Sequence, residues 1–238
     1  MMIKPLAAMV FAALILLIAR PGLAEPVRIV AFGDSLMAGY QLGPDEGFVP
    51  QLQKALAEAG IDAVVENAGV SGDTTSGGLS RLDWSVADGT DLVILELGAN
   101  DALRGISPEI TRQNLDAMIA RLKERGLAVL LAGMIAPPNM GTEYGAAFNP
   151  VFAELAEKHG VPLYPFFLDG VAATPSLQLA DGMHPNPAGV ARIVEGIMPL
   201  LLATIKKRTN KYRDYNALGF TRDLFPRNVN LLPFPRHP

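Results

Sequence analysis

Short apolar runs alternate along the chain with longer segments in which apolar residues recur every three or four positions. The runs are rich in Val, Ile and Leu and end in Gly, Asn or Asp, as buried strands do where they enter turns. Because helical segments separate the runs, the pattern predicts βαβ units and hence an α/β domain whose parallel sheet is covered on both faces. Five strands are predicted, at Val27–Phe32, Ala63–Glu66, Asp91–Leu97, Leu127–Ala132 and Val161–Tyr164.

The helical segments carry ordinary start and stop signals. Phe48, Leu52 and Leu56 have helical spacing, and Gly60 follows them as a C-cap. A later helix is predicted over Phe148–His159. Since right-handed crossovers bring the carboxyl ends of parallel strands to one edge of the sheet, residues that follow strand ends are expected to gather there.

The chain length of 238 residues suits one α/β domain with short additions at its ends. At the amino end, Lys4 precedes an apolar run over residues 6–18, which is shorter than the ~20 residues that span a bilayer. Gly22 and Ala24 form the small-x-small pattern that signal peptidase accepts. We therefore expect residues 1–24 to be a secretory signal, which makes the protein periplasmic or secreted; an uncleaved anchor is the alternative.

Charge divides the rest of the chain in two. Residues 25–205, the predicted domain, contain 10 Lys and Arg against 22 Asp and Glu, a balance too acidic for a nucleic-acid binder. Residues 206–238 carry a net charge of +6 and four prolines, so a basic, disordered tail is expected there. Contact of this tail with anionic lipid headgroups is the less favoured alternative.

The residue types limit the chemistry available to the domain. The chain has no cysteine, which excludes a disulfide framework and a thiol nucleophile. Residues 25–205 contain two histidines and no convincing set of metal ligands, and no phosphate- or dinucleotide-binding motif stands out. Neither a metal nor a cofactor is therefore expected. One histidine, His159, is interpreted as a solvated residue at a helix end, favoured there by the helix dipole.

The other histidine fits a serine site. Ser35 directly follows the first predicted strand, and His184 lies in a turn-rich stretch, three residues after Asp181. A serine hydroxyl needs a base to accept its proton, and the base works best when a third group orients it. Asp181 is spaced to accept a hydrogen bond from one imidazole nitrogen of His184, which leaves the other nitrogen for Ser35. Activity is then expected to rise with pH as His184 loses its proton.

Two further residues at strand ends suit the negative charge that develops during acyl transfer. Gly72 leaves room for close approach of a backbone N–H, and Asn100 offers a side-chain amide. Taken singly, each is explained as well by a turn or a cap. Together with Ser35, Asp181 and His184, they predict an oxyanion hole beside a Ser-His-Asp triad.

Five stretches of the chain carry a family resemblance: FGDSLMAGY (32–40), NAGVSGDTT (67–75), LGAND (97–101), GMIAPPNMG (133–141) and DGMHPN (181–186). Through them the chain resembles the GDSL-type (SGNH) hydrolases, and within that family the bacterial periplasmic branch of arylesterases, acyl-CoA thioesterase I and lysophospholipase L1. The similarity runs from about residue 27 to about residue 205.

The resemblance implies a three-layer α/β/α sandwich with a five-stranded parallel sheet in flavodoxin-like order. It also implies that Ser35 is the nucleophile, His184 the general base and Asp181 its orienting partner. The oxyanion hole would comprise the Ser35 N–H, the Gly72 N–H and the Asn100 side chain. A mobile loop over residues 136–144 would border the acyl pocket, and its matching residues are Pro137, Pro138, Asn139, Met140 and Gly141.

The expected function is hydrolysis of small acyl esters or thioesters, lysophospholipids among them, by a monomer that forms an acyl-enzyme. An α/β-hydrolase does not fit, because its G-x-S-x-G motif would need glycine where Met37 follows Ser35. Two alternatives remain open. One is a carbohydrate O-acetylesterase with the same mechanism, and the other is a non-catalytic acyl- or lipid-binding protein on the same fold.

Overall fold

The structure is a computed structural model that describes residues 25–217, with side chains described as far as residue 208. The predicted signal segment, residues 1–24, lies outside the described residues, and so do residues 218–238 of the predicted tail. The described chain forms three layers, with helices on both faces of one sheet.

Five parallel strands form the sheet, as predicted. They are β1 (Val27–Gly33), β2 (Ala63–Gly69), β3 (Leu92–Glu96), β4 (Ala128–Ala132) and β5 (Leu163–Tyr164). Their order, β2-β1-β3-β4-β5, is the flavodoxin-like one. The last strand is shorter than expected, because only two of its residues pair with β4 at the edge of the sheet.

Eight helices are found within residues 25–217: α1 (Ser35–Ala38), α2 (Phe48–Glu58), α3 (Thr75–Ser85), α4 (Ala99–Leu103), α5 (Pro108–Glu124), α6 (Thr142–Phe148), α7 (Val151–His159) and α8 (Pro187–Ala217). The prediction of one continuous helix over Phe148–His159 is wrong in its first part. Pro150 has no N–H to continue a helical ladder, so α6 ends at Phe148 and α7 begins at Val151.

The core lies between the sheet and the two helical layers. All five residues of β3 are buried, as expected of a central strand with both faces covered. On one face α2 packs beside α8, and on the other α5 packs beside α3 and α7. The helix α5 buries Leu115, Met118, Ile119 and Leu122, which form one apolar stripe at helical spacing.

The last helix, α8, is a core helix in this fold. Over Pro187–Arg208 its length and composition would suffice to cross a membrane. Its apolar face, however, packs into the core through Val190, Ile193 and Ile197. The helix continues past the predicted end of the domain at residue 205, so residues 206–217 of the predicted tail are helical.

The carboxyl ends of β1, β2 and β3 form the edge at which the predicted site residues lie. Because β2 and β3 flank β1, the chain crosses over to opposite sides of β1 and opens a crevice at this edge. The ends are level, since Gly33 lies beside Gly69 and Phe32 beside Leu95. A Cβ at Gly69 would collide with the backbone of Ala38, so this glycine allows α1 to approach β2 closely.

Candidate active site

Ser35 is held at the carboxyl edge by a sharp transition from strand to helix. The strand β1 ends at Gly33, and Ser35 is the first residue of α1. Asp34, between them, caps the helix by accepting the Leu36 N–H at 3.0 Å. The half-buried Ser35 side chain therefore faces the crevice. Its own N–H belongs to the first helical turn, where N–H groups have no partner within the helix.

His184 faces Ser35 from the turn that precedes α8. Its Nε2 lies 2.9 Å from Ser35 Oγ, and its Nδ1 lies 2.6 Å from Asp181 Oδ2. The turn itself is closed by the Leu179 N–H, which donates to the His184 carbonyl oxygen at 2.8 Å. The structure thus brings the three predicted triad residues together in one hydrogen-bonded chain.

The Asp181 carboxylate is fixed by three donors. Its Oδ1 accepts the N–H groups of Met183 and His184 at 2.9 and 3.0 Å, and its Oδ2 faces the imidazole. Desolvation acts in the opposite direction, but these hydrogen bonds lower the pKa of Asp181 to about 2. Because an ionised carboxylate only accepts, the imidazole carries its hydrogen on Nδ1 and presents Nε2 to Ser35 as an acceptor.

The imidazole of His184 also contacts an aromatic ring. The Tyr40 ring lies with its centroid 4.5 Å from that of His184, at an interplanar angle of 39°. Tyr40 follows Gly39, which ends α1 in the left-handed conformation and turns the chain back over the site. Tyr40 therefore restrains the plane of the imidazole, a contact that the sequence patterns did not predict.

The two predicted oxyanion donors lie on either side of Ser35. Gly72 adopts a φ of +80°, and its N–H has no hydrogen-bond partner among the described residues. The Gly72 carbonyl oxygen accepts from Arg104 Nη2 at 2.7 Å, which fixes this peptide unit. Asn100, in the first turn of α4, donates from Nδ2 to Asp34 Oδ2 at 2.9 Å.

A buried carboxylate ties these two donor segments together. Asp101 is fully buried, and its Oδ2 accepts the Thr75 N–H at 2.8 Å while its Oδ1 accepts from Thr111 Oγ1 at 3.1 Å. Thr75 begins α3, directly after the turn that contains Gly72, and Asp101 follows Asn100 in α4. The relative position of the two donors is therefore set by the core of the protein.

The loop predicted to border the acyl pocket, Pro137–Gly141, connects β4 to α6. It includes a short 3₁₀ turn at 138–140. A Cβ placed on Gly105 would lie 3.5 Å from the Met140 methyl group. Just beyond the loop, the Tyr144 hydroxyl donates to the Ile106 carbonyl oxygen at 2.7 Å. The loop thus contacts the segment that follows α4, on the same edge of the sheet as the triad.

His159 does not belong to this site, and its interpretation as a solvated residue is wrong. Its side chain is 12% exposed, and its Nε2 lies 2.6 Å from Asp116 Oδ1. Lys158 Nζ lies 2.8 Å from the other carboxylate oxygen. The hydrogen bond from Lys158 is the largest effect that lowers the pKa of Asp116. The contacts of His159 and Lys158 with Asp116 join α7 to α5, so His159 has a structural role.

Among residues 25–217 no group of three or more His, Cys, Asp or Glu side chains is arranged to hold a metal ion.

A buried arginine forms hydrogen bonds to the ends of two strands close to Ser35. Arg81 on α3 donates to the carbonyl oxygens of Gly33 at 2.9 Å and Ala68 at 2.8 Å, and it pairs with Asp73 at 2.7 Å. Its guanidinium lies 4.0 Å from the centroid of the Phe32 ring. Arg81 therefore joins the ends of β1 and β2, a contact that no sequence pattern indicated.

Two buried carboxyl groups lie next to Ser35. Asp34 and Glu96 are both fully buried, and Glu96 Oε2 accepts the Asp34 N–H at 3.2 Å. A Cβ on Gly33 would collide with the Glu96 carboxyl group, so the glycine leaves room for this contact. Burial raises the pKa of Asp34 to about 6. Burial, and then the charge of Asp34, raises the pKa of Glu96 well above its ordinary value.

The chain is similar to a known protein family and to known proteins. Residues 31–192 match the model of the GDSL-like lipase/acylhydrolase family. Esterase TesA of Pseudomonas aeruginosa is 42% identical over 174 residues, which cover 73% of this chain and 87% of the relative. The thioesterase 1/protease 1/lysophospholipase L1 of Escherichia coli is 36% identical over 177 residues, or 74% of this chain and 83% of the relative.

A solved structure gives the same result for the fold. The crystal structure of AlinE4, described as an SGNH-hydrolase family esterase, superposes with a TM-score of 0.65 at 44% sequence identity. The match covers 76% of this chain and 98% of the AlinE4 chain.

Proposed function

Because this chain belongs to the GDSL-like lipase/acylhydrolase family and is an esterase of the SGNH type, we propose that Ser35 is its nucleophile, with His184 as the general base. Asp181 orients the imidazole and stabilises the imidazolium that forms. The observation that carries the proposal is the chain of two short contacts, 2.9 Å from Ser35 Oγ to His184 Nε2 and 2.6 Å from Nδ1 to Asp181.

In the first half of the reaction, Ser35 Oγ forms a bond to the acyl carbon while its proton passes to His184 Nε2. The carbonyl oxygen, now negative, lies among the Ser35 N–H, the Gly72 N–H and the Asn100 amide, and donors of this kind each contribute a few kcal/mol. The bond to the alcohol or thiol breaks as His184 returns the proton to it. A water oxygen then forms a bond to the acyl carbon while His184 takes a proton from the water. The bond between the acyl carbon and Ser35 Oγ breaks, the acid leaves, and His184 returns the proton to Oγ.

The substrate class we propose is small acyl esters and thioesters, including aryl esters and lysophospholipids. The family and the names of the relatives, esterase TesA and thioesterase 1/protease 1/lysophospholipase L1, support this range. The loop Pro137–Gly141 is proposed to border the acyl chain, because its Met140 lies beside Gly105 in the segment after α4. A non-catalytic acyl-binding protein is not supported, since these relatives are named as enzymes.

The experiment is hydrolysis of p-nitrophenyl esters from acetate to palmitate by the purified protein. Ser35→Ala and His184→Ala should each lower kcat by at least about 10⁴-fold, because the members of a triad act as a unit. His159→Ala is the matched control, since that histidine pairs with Asp116 away from the serine, and it should retain turnover. Activity that survives in Ser35→Ala would refute the proposal. The acyl chain length that gives the highest kcat/KM indicates the length of the acyl pocket. A clear preference for acetylated sugars over all of these esters would favour the O-acetylesterase alternative.

We also propose that residues 1–24 are removed and that the mature protein is periplasmic or secreted. The support is the charged start, the short apolar run and the small-x-small pattern at 22–24. Sequencing the amino end of the exported protein should find Glu25 first. A protein that keeps residues 1–24 and stays with the membrane fraction would contradict this proposal.

A further inference from the structure

The two oxygens of Asp34 make different contacts. Oδ1 accepts the Leu36 N–H at 3.0 Å and lies 3.5 Å from Ser35 Oγ, so it holds the start of α1. Oδ2 accepts from Asn100 Nδ2 at 2.9 Å, so it holds α4. Through these hydrogen bonds the carboxyl group of Asp34, which is fully buried, links the segment of Ser35 to the segment that carries Asn100.

The charge on Asp34 selects the orientation of that amide. A carboxylate only accepts hydrogen bonds, so it can face the NH₂ group of Asn100 but not its carbonyl oxygen. One amide hydrogen then goes to Asp34, and the second is left for the substrate oxyanion. If Asp34 carried a proton on Oδ2, a donor would face a donor. Asn100 would turn its carbonyl oxygen to this position, where that oxygen would repel the developing charge.

Glu96 is placed to keep the proton away from Asp34. Its Oε2 accepts the Asp34 N–H at 3.2 Å, and its Oε1 has no hydrogen-bond partner in the described structure. Two adjacent buried carboxyl groups do not both ionise. Of the two, Asp34 receives hydrogen bonds from Leu36 and Asn100 that favour its charged form, so the proton resides on Glu96.

We propose that Asp34 is a positioning residue of the oxyanion hole, which must be ionised to aim the Asn100 amide while Glu96 behind it stays protonated. This inference rests on the proposed role of Asn100. Three further charged or titratable groups lie on neighbouring elements. Arg81 of α3 is occupied by Asp73 and the Gly33 carbonyl, and Asp101 of α4 by Thr75 and Thr111, whereas His184 favours ionised Asp34 when it is itself protonated.

Asp34→Asn tests the proposal with little change in shape. The new side-chain oxygen still accepts the Leu36 N–H, so the cap of α1 is kept. The new NH₂ group then faces Asn100 Nδ2 and forces the Asn100 amide to turn. We expect kcat to fall about 100-fold, the lower range for loss of one oxyanion donor. KM should change much less, because the donor acts on the transition state.

The first readout is the number of protons that inactivate the parent below neutrality. Protonation of His184 should abolish activity, and protonation of Asp34 should lower it about 100-fold. At low pH kcat/KM should therefore fall with the second power of proton concentration for as long as the ionised form of Asp34 carries the activity. In Asp34→Asn it should fall with the first power. Asp91→Asn is the matched control, because Asp91 is a buried carboxylate that accepts the Arg28 N–H at 2.9 Å at the opposite edge of the sheet. That variant should keep the second-power dependence. A first-power dependence in the parent, with circular dichroism showing a folded protein, would overturn the proposal.

The second readout is a double-variant cycle. If Asp34 acts through Asn100, then Asp34→Asn combined with Asn100→Ala should lose no more activity than Asn100→Ala alone. Full additivity would overturn the inference while leaving the serine mechanism intact, because that mechanism is tested separately by Ser35→Ala. Glu96→Gln, which imitates a protonated acid, should keep the midpoint of the acid limb. A move of that midpoint to lower pH would show that Glu96 is charged in the parent, against the proposal.

Discussion

Replacing Asp181 with asparagine should disable His184 while leaving the fold almost unchanged. The Oδ1 atom of residue 181 is held by two backbone N–H groups, from Met183 at 2.9 Å and His184 at 3.0 Å. Those donors require an oxygen, so in the variant the NH₂ group must occupy the position of Oδ2, 2.6 Å from His184 Nδ1. A donor there forces the imidazole to carry its hydrogen on Nε2. That nitrogen then faces Ser35 as a donor and cannot accept its proton.

The expected loss in kcat is about 10⁴-fold, the size known for such a replacement in a serine protease triad. This corresponds to about 5.5 kcal/mol of transition-state stabilisation. The assay is steady-state hydrolysis of a p-nitrophenyl ester near neutral pH, with the melting temperature measured in parallel. The matched control is Asp116→Asn, which alters the other Asp–His contact of 2.6 Å, that with His159. Turnover of Asp181→Asn within tenfold of the parent would refute the argument, because an imidazole held in the wrong tautomer could not support that turnover.

Three further results are expected. Asn100→Ala should lower kcat by about 10²–10³-fold through loss of one oxyanion donor. The control variant Asn114→Ala, which removes an amide bonded to Thr75 and Ser76, should retain turnover. Equal losses of kcat in the two variants would contradict the role of Asn100. Gly72→Ala should destabilise the protein by about 1 kcal/mol because of its φ of +80°, and it should lower kcat at least tenfold. The control variant Gly60→Ala, at a φ of +73° with open space around it, should lose similar stability and keep its activity. Because the pKa of Asp181 is about 2 against an ordinary 3.8, its charge stabilises the native state above the ordinary value, and this contribution is lost as pH falls through the folded value. The unfolding free energies of the parent and Asp181→Asn in urea should therefore converge between those two pH values, and a gap that persists would contradict the linkage.

The sheet could be predicted because each of its strands is a local pattern. A buried strand reveals itself by an apolar run and a turn residue, and parallel topology then places all carboxyl ends at one edge. The distances among Ser35, His184 and Asp181 follow from that edge and from the short spacing of Asp181 and His184. The break at Pro150 is a local signal too, but the apolar spacing over Phe148–His159 concealed it.

The contacts of the buried acids Asp34 and Glu96, and those of Arg81, could not be predicted in the same way. Glu96 belongs to an apolar run, and its contact with Asp34 depends on the register that sets Phe32 beside Leu95. Arg81 reaches across from a helix to two strand ends. Such contacts depend on tertiary geometry, because the partners are far apart in sequence and share no period.

The turn that carries His184 and Asp181, the proposed base and its proposed orienting acid, is held mainly by hydrogen bonds within the turn. The Gly182 N–H donates to the Leu179 carbonyl at 3.0 Å, and Gln178 Nε2 donates to the Gly182 carbonyl at 3.0 Å. Residues 181–183 are exposed, in contrast to the wholly buried β3. A segment with few core contacts opens at a lower free energy than the global unfolding of the molecule. Its amide hydrogens should therefore exchange with solvent long before those of β3, and heat should abolish catalysis reversibly while the sheet is still intact. The temperature at which this enzyme loses activity should then depend on one short turn rather than on the stability of its core.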